Sequence, residues 1–289
     1  MVRRCYEFAG VRIALEGPED LMYEREGRLA PFGAAHTEES YTVTLERVDR
    51  LEPPEGECLA VEPDCRVYEQ AGVRTRYQGS VELTWEKAYL RTVWQGRSCR
   101  IQLLRDMVPG HVGTHTVLGA LGAEHLVVRA GGVILHASCV IHEGRAILFT
   151  APSETGKSTQ AALWERYRGA DVVNGDRAAV RIIGDTPMAY GIPFSGTSGI
   201  SKARELPLTA VVYLSQSKEN RLRQLQGYEA FRAIWEGISV NTWDRKAMER
   251  VSGTVERLVE RIPVYHLACR PDEGAVEILE QALKEKKQW

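Results

Sequence analysis

The chain has 289 residues, 44% of them hydrophobic and 26% charged, with a formal net charge of −2. That length suits one large domain or two moderate ones. The charge balance gives no global basic field for nucleic acid and no Lys/Arg block for a membrane surface. Arg3 and Arg4 are followed by Cys5, Tyr6 and Glu7 rather than by an apolar stretch of about 7–15 residues. Nothing approaches the roughly 20 consecutive apolar residues of a membrane span, so a cytoplasmic location is expected. The cysteines (Cys5, Cys58, Cys65, Cys99, Cys139, Cys269) form no C-x-x-C pair, which favours incidental thiols in a reducing compartment over a zinc site.

In chain order, residues 1–110 read as a β-rich domain. Val11, Ile13 and Leu15 alternate with polar or small residues, as do Tyr41, Val43 and Leu45, then Val81, Leu83 and Trp85, then Cys99, Ile101 and Leu103. Turn signals such as Glu52-Pro53-Pro54-Glu55-Gly56 separate these runs, so an antiparallel meander or small sheet is expected. A helix begins near Thr114, its stripe running through Val117, Leu118, Leu121, His125 and Val128 to a break at Gly131-Gly132. From there the texture alternates strand and helix. Apolar strands are expected at Val133–Leu135, Ala146–Thr150, Val172–Val173, Val211–Leu214 and Val264–Ala268. Helices are expected after Lys157, around Phe231–Trp235, along Met248–Ile262, and through Val276–Leu283. Residues 111–289 therefore form an α/β domain.

The strongest chemical signal is Ala151-Pro152-Ser153-Glu154-Thr155-Gly156-Lys157-Ser158 between the strand ending at Thr150 and a helix. A triphosphate is held by backbone N–H groups at a helix N-terminus, by a lysine reaching the β and γ phosphates, and by a hydroxyl on Mg²⁺. Ser153, Glu154, Thr155, Gly156, Lys157, Ser158 and Thr159 are accordingly the nucleotide-binding residues, with ATP and Mg²⁺ as cofactors. Ala151 replaces the first glycine of the usual G-x-x-x-x-G-K-[ST], at little cost if φ is negative there. Glu154 repels phosphate unless it points outward, and otherwise weakens nucleotide affinity or meets a substrate or cation. An ordinary strand–turn–helix connection can also contain Gly-Lys-Ser, but the full run and its context favour phosphate binding.

A kinase further needs a carboxylate that takes the acceptor's proton or holds metal. Asp176, ending the strand Asp171-Val172-Val173-Asn174-Gly175, is the candidate, with a turn aspartate as the plainer reading. With Ser158 it is also the expected metal ligand.

His136-Ala137-Ser138 after an apolar strand, a short hairpin, the loop just described, and then Asn174-Gly175-Asp176-Arg177 resemble the catalytic domain of HPr kinase/phosphorylase. Tyr190-Gly191-Ile192-Pro193-Phe194-Ser195-Gly196 is similar to a segment of HPr-kinase-like proteins found beside peptide-modification genes, including lasso-peptide kinases. The resemblance covers roughly residues 126–283. It implies the P-loop α/β core shared with phosphoenolpyruvate carboxykinase, preceded here by the β-rich domain. It also implies Asp176 as general base and His136 near the phosphates. The family often shows two adjacent aspartates where this chain has Asp176 and then Arg177. The segment with which HPr kinases support their oligomer and phosphorylase reaction finds no match, which makes HPr a poor acceptor.

The resulting expectation is transfer of the γ-phosphate of ATP to a hydroxyl, a serine of a peptide or protein by analogy. Catalysis falls to Asp176, Lys157 and His136, and the β-rich domain supplies a docking edge. Arg177, Ser195, Lys202 and Arg204 are candidates for contacting substrate or the transferred phosphoryl group, against a solvated-surface reading. Lys218–Arg223 reads as a charged hairpin, and Trp235 and Trp243 as packing. No nucleic-acid or membrane partner is expected, and homo-oligomerisation stays open. Two rivals remain: a carboxykinase-like enzyme acting on a small acid, and a non-catalytic nucleotide-binding module.

Overall fold

The computed structural model describes residues 1–22, 28–35, 40–79, 84–107, 113–194 and 196–285. They fold as two compact units, Met1–Ala123 and Glu124–Trp289.

The first unit is built on strands β1 (Val2–Phe8), β2 (Val11–Gly17), β3 (Tyr41–Val48), β4 (Glu57–Glu62), β5 (Cys65–Gln70), β6 (Val73–Gly79), β7 (Ala88–Gln95) and β8 (Ser98–Leu104). Two short helices, α1 (Glu19–Met22) and α2 (Thr114–Leu121), belong to it. The strands form one sheet in the order β1-β2-β3-β8-β7-β6-β5-β4. Period-two alternation buries Ile13, Leu15, Val43, Leu45, Ile101 and Leu103 together. The expected antiparallel pairing of consecutive strands holds for β1 with β2 and from β4 to β8; β2 pairs with β3 and β3 with β8 in parallel. Alternation reports which face is buried and carries no information on strand direction, so this difference was invisible in the pattern. Trp85 lies in a single 3₁₀ turn, Trp85–Lys87, rather than in a strand, while Val81 and Leu83 fall outside the described residues. The paired strand is β7, just downstream.

The second unit contains α3 (Ala123–Arg129), β9 (Gly132–His142), β10 (Arg145–Thr150), α4 (Lys157–Arg168), β11 (Asp171–Asn174), β12 (Arg177–Ile183), β13 (Thr186–Gly191), β14 (Glu205–Gln216), β15 (Arg221–Leu225), α5 (Gly227–Trp235), β16 (Ile238–Ser239), α6 (Arg245–Arg261), β17 (Val264–Cys269) and α7 (Glu273–Glu285). It is a mixed α/β unit. The single helix expected from Thr114 to Val128 is two, because Gly122 adopts the left-handed conformation that ends α2.

The pairings in this unit run full circle through β9, β12, β13, β14 and β10 back to β9. In this circle β9 carries β12 and β10 on different stretches of its length, as β14 carries β13 and β10. Residues 132–136 of β9 pair with β12, and residues 137–142 pair with β10. In β14, residues 205–207 pair with β13, and residues 208–213 pair with β10. β17 adds to β14 in parallel and β15 to β17 antiparallel. The segment Lys218–Arg223 is thus no hairpin onto β14, since β15 crosses to the far side of β17.

One face of these sheets packs Val251, Val255 and Leu258 of α6 and Ala233 and Ile234 of α5. The other packs Trp164 of α4 and Val276 and Leu279 of α7. Core helices on both faces fix the carboxyl ends of β10 and β11 beside the start of α4.

Among the described residues, no helix is long and apolar enough to cross a membrane.

Candidate active site

β10 ends at Thr150, and α4 starts at Lys157. The turn between them uses two left-handed positions, Glu154 at φ 63° and Gly156 at φ 120°. The first intrahelical bond links the Gln160 N–H to the Gly156 carbonyl at 2.9 Å. The earlier amides of the first turn have no partner within the helix, the arrangement that suits an anion. Lys157 is only 7% exposed. Its Nζ donates to the Ala151 and Pro152 carbonyls at 3.0 and 3.2 Å, so the ammonium lies across the loop. Burial pushes its pKa down, while the Asp176 carboxylate pulls it up. Ala151 is buried, whereas Ser153, Glu154, Ser158 and Thr159 are exposed and Thr155 is half-buried. Glu154 also lines a cavity beside the loop.

The loop meets a second element through Ser158, whose Oγ donates to the Gly175 carbonyl at 3.4 Å. Gly175 and Asp176 form the break between β11 and β12, both of which pair with β9. Asn174, fully buried, organises that break. Its Oδ1 accepts from the Asp176 and Arg177 amides at 3.0 Å each, and its Nδ2 donates to the Ile192 carbonyl at 2.8 Å. This is an Asx turn in which a side chain replaces ladder partners the bend removes.

Asp176 is thereby presented to His136 of β9, with 3.0 Å between His136 Nε2 and Asp176 Oδ1. Burial and the Lys157 ammonium depress the His136 pKa, in that order, against the opposing pull of Asp176. The imidazole is therefore neutral near pH 7. Because a carboxylate only accepts, the tautomer assigned is the one whose Nε2–H donates. His136 is itself fixed through its backbone. Its N–H donates to the Gly237 carbonyl at 2.7 Å, and its carbonyl accepts from Thr150 Oγ1 at 3.1 Å. A Cβ on Gly237 would sit 2.5 Å from Thr150 Oγ1, so only glycine allows this approach.

On the other side, Arg177 Nε is 3.5 Å from Asp176 Oδ2, and its guanidinium lies 5.2 Å from the Phe194 ring centroid. Gly196 packs directly on Asp176: a Cβ there would come within 2.7 Å of Asp176 Cβ. Ser195 lies outside the described residues. The segment continues to Ser201 and Lys202, which bond along β11 through the Asn174–Ser201 bridge and the Lys202 N–H to the Val173 carbonyl.

Lys157, Ser158, Asp176, His136 and Arg177 thus come together. Two predicted cations do not join them. Lys202 forms an ion pair with Asp171, at the opposite end of β11 from Asp176. Arg204 is exposed at the approach to β14, and its side chain makes no ion pair or hydrogen bond among the described residues. Asn174, Gly237 and Thr150 were not read as site residues. The Asn-Gly pair was legible as a turn, but burial of the Asn side chain was not, and the others act only through long-range approach.

Ser158 and Asp176 offer hard oxygen donors flanking Gly175, a donor set that fits Mg²⁺ with its remaining positions left to phosphate and water.

No family model and no curated protein matches the sequence. Among solved structures, the chain is similar to the Hpr(Ser) kinase/phosphatase from Coxiella burnetii at 12% identity and a TM-score of 0.33, over 54% of this chain and 99% of that one.

Proposed function

We propose that the chain is an ATP-dependent kinase with an HPr-kinase-like P-loop core, transferring the γ-phosphate to a hydroxyl, that of a serine in a peptide or protein. The observation that carries this reading is the meeting of the phosphate loop with a carboxylate. Ser158 bonds to Gly175, and the adjacent Asp176 accepts from His136 at 3.0 Å. The α4 amides and Lys157 position the β and γ phosphates. Asp176 takes the proton of the acceptor hydroxyl, with His136 holding the carboxylate in orientation. Arg177 offsets charge on the transferred group, the usual task of a cation in phosphoryl transfer. Mg²⁺, held by Ser158 and Asp176, would supply further neutralisation of phosphate charge.

We also assign the edge of the first unit's sheet to peptide docking by strand addition. Among the described residues β4 pairs with β5 alone, and its exposed edge includes Val61 at 66% exposure.

The test is incubation of the full chain with γ-labelled ATP and serine-containing peptides encoded beside its gene. Lys157→Ala and Asp176→Asn are each expected to lower transfer by at least about a hundredfold, with the circular dichroism spectrum unchanged. Full transfer by either variant would overturn the mechanism.

A further inference from the structure

Gly175, between β11 and Asp176, is approached by a side chain that the mechanism above does not use. A Cβ on Gly175 would come within 2.2 Å of Ser198 Oγ and 2.7 Å of Ser198 Cβ, so the Ser198 hydroxyl lies directly against this glycine. The Gly175 carbonyl accepts from Ser158 Oγ at 3.4 Å, and the next residue in the chain is Asp176. A serine hydroxyl is therefore packed on the residue that joins the phosphate loop to the carboxylate assigned as base.

The segment carrying Ser198 is shaped for this approach. Gly196–Ser198 is one 3₁₀ turn, and Gly196 and Gly199 hold φ values of 52° and 69°. Both lie in the left-handed region that glycine adopts without steric cost. Gly196 rests on Asp176 itself, where a Cβ would be 2.7 Å from Asp176 Cβ and 3.1 Å from its Oδ1. The Ile200 N–H donates to Ser198 Oγ at 3.2 Å, which fixes the hydroxyl within the turn. Ser198 nevertheless stays exposed, so its contact with Gly175 does not seal it in the core.

We propose that Ser198 is a phosphorylation site of the chain's own making, receiving the γ-phosphoryl group of ATP bound at the loop of the same molecule. The proposal rests on the kinase reading above and extends it from an external peptide to the chain itself. In this step Ser198 Oγ forms a bond to the γ-phosphorus. The bond from that phosphorus to the β,γ-bridging oxygen breaks, and ADP leaves with the electron pair. The hydroxyl proton passes to the Asp176 carboxylate. A hydroxyl already tethered beside the base reacts without the loss of translational freedom that a separate acceptor incurs.

The test is incubation of the full chain with γ-labelled ATP and Mg²⁺, without peptide, followed by mass spectrometry of the labelled residues. A parallel reaction contains serine peptides. Phosphate is expected on Ser198, with a rate constant unchanged over about a tenfold range of chain concentration, as for an intramolecular step. Ser198→Ala should lower total incorporation into the chain by at least about tenfold. The wild-type measurement stands without that variant. A chain that phosphorylates peptide yet carries no phosphate on Ser198 overturns the inference and leaves the kinase reading in place. Phosphate on other residues alone, or a rate constant that rises with chain concentration, overturns it equally. If neither chain nor peptide is labelled, the kinase reading fails, and this inference with it.

Discussion

His136 and Asp176 illustrate how much of the candidate chemistry is set by single residues in contact. Burial, aided by Lys157, holds the His136 pKa below the usual 6.5. Its folded-state value being the lower one, the unfolded chain takes up a proton first as pH falls. Stability associated with the neutral imidazole is therefore present above about pH 6.5 and is lost as pH drops through the folded value. Protonation also puts a full positive charge against Asp176 and makes that carboxylate a poorer base. We expect kcat/KM to hold near neutrality and to fall on the acid side with an apparent pKa below 6.5. His136→Gln keeps an N–H donor for Asp176 but cannot titrate, so its pH–rate profile should lack that limb. An acid limb unchanged in the variant would count against the assigned role.

Among the elements, the break between β11 and β12 matters most to the site. Two strands on one edge of β9 are interrupted at Gly175-Asp176, and Asn174 supplies the hydrogen bonds that the interruption removes. Asn174→Ala strands the Asp176 and Arg177 amides; the Ile192 carbonyl still accepts from Ser201 Oγ at 3.0 Å. Urea unfolding should register a loss of about 1–3 kcal/mol. Transfer should fall through kcat, because Asp176 loses its seat while the nucleotide loop is untouched. A variant with unchanged stability and unchanged kcat would show that the turn holds without its side chain. This element was only half legible in the sequence. Asn-Gly announces a turn, and Asp171–Val173 an apolar strand, but neither shows that the turn interrupts an edge of β9 opposite β10. β12 was missed, since its short polar-flanked run looks like loop without the neighbours that bury Ala178, Ala179 and Val180.

At the scale of the whole molecule, the two units are built differently. The second closes its strands into a ring and sandwiches them between helices, which gives the site a rigid base. The first exposes β4 as an edge, and unpaired edges invite strand addition. If that edge docks the acceptor, amide hydrogen exchange in residues 57–62 should slow when a peptide phosphorylated by the chain is added. Exchange that stays the same at saturating peptide would remove the docking assignment and leave the transfer site as it stands.

By itself the sequence determined the local events: the β-rich texture of the front, the strand–loop–helix around Gly156-Lys157-Ser158, and the candidacy of His136 and Asp176. Each of these depends on periodicity or on residue types a few positions apart, which a linear chain carries openly. The tertiary structure alone decided which candidates meet. It brought His136 to Asp176 and left Lys202 on Asp171, and it set β2, β3 and β8 parallel. It also laid Ser198 against Gly175. These outcomes depend on strand direction, register and long-range approach, and alternation along a chain is the same whichever neighbour it pairs with.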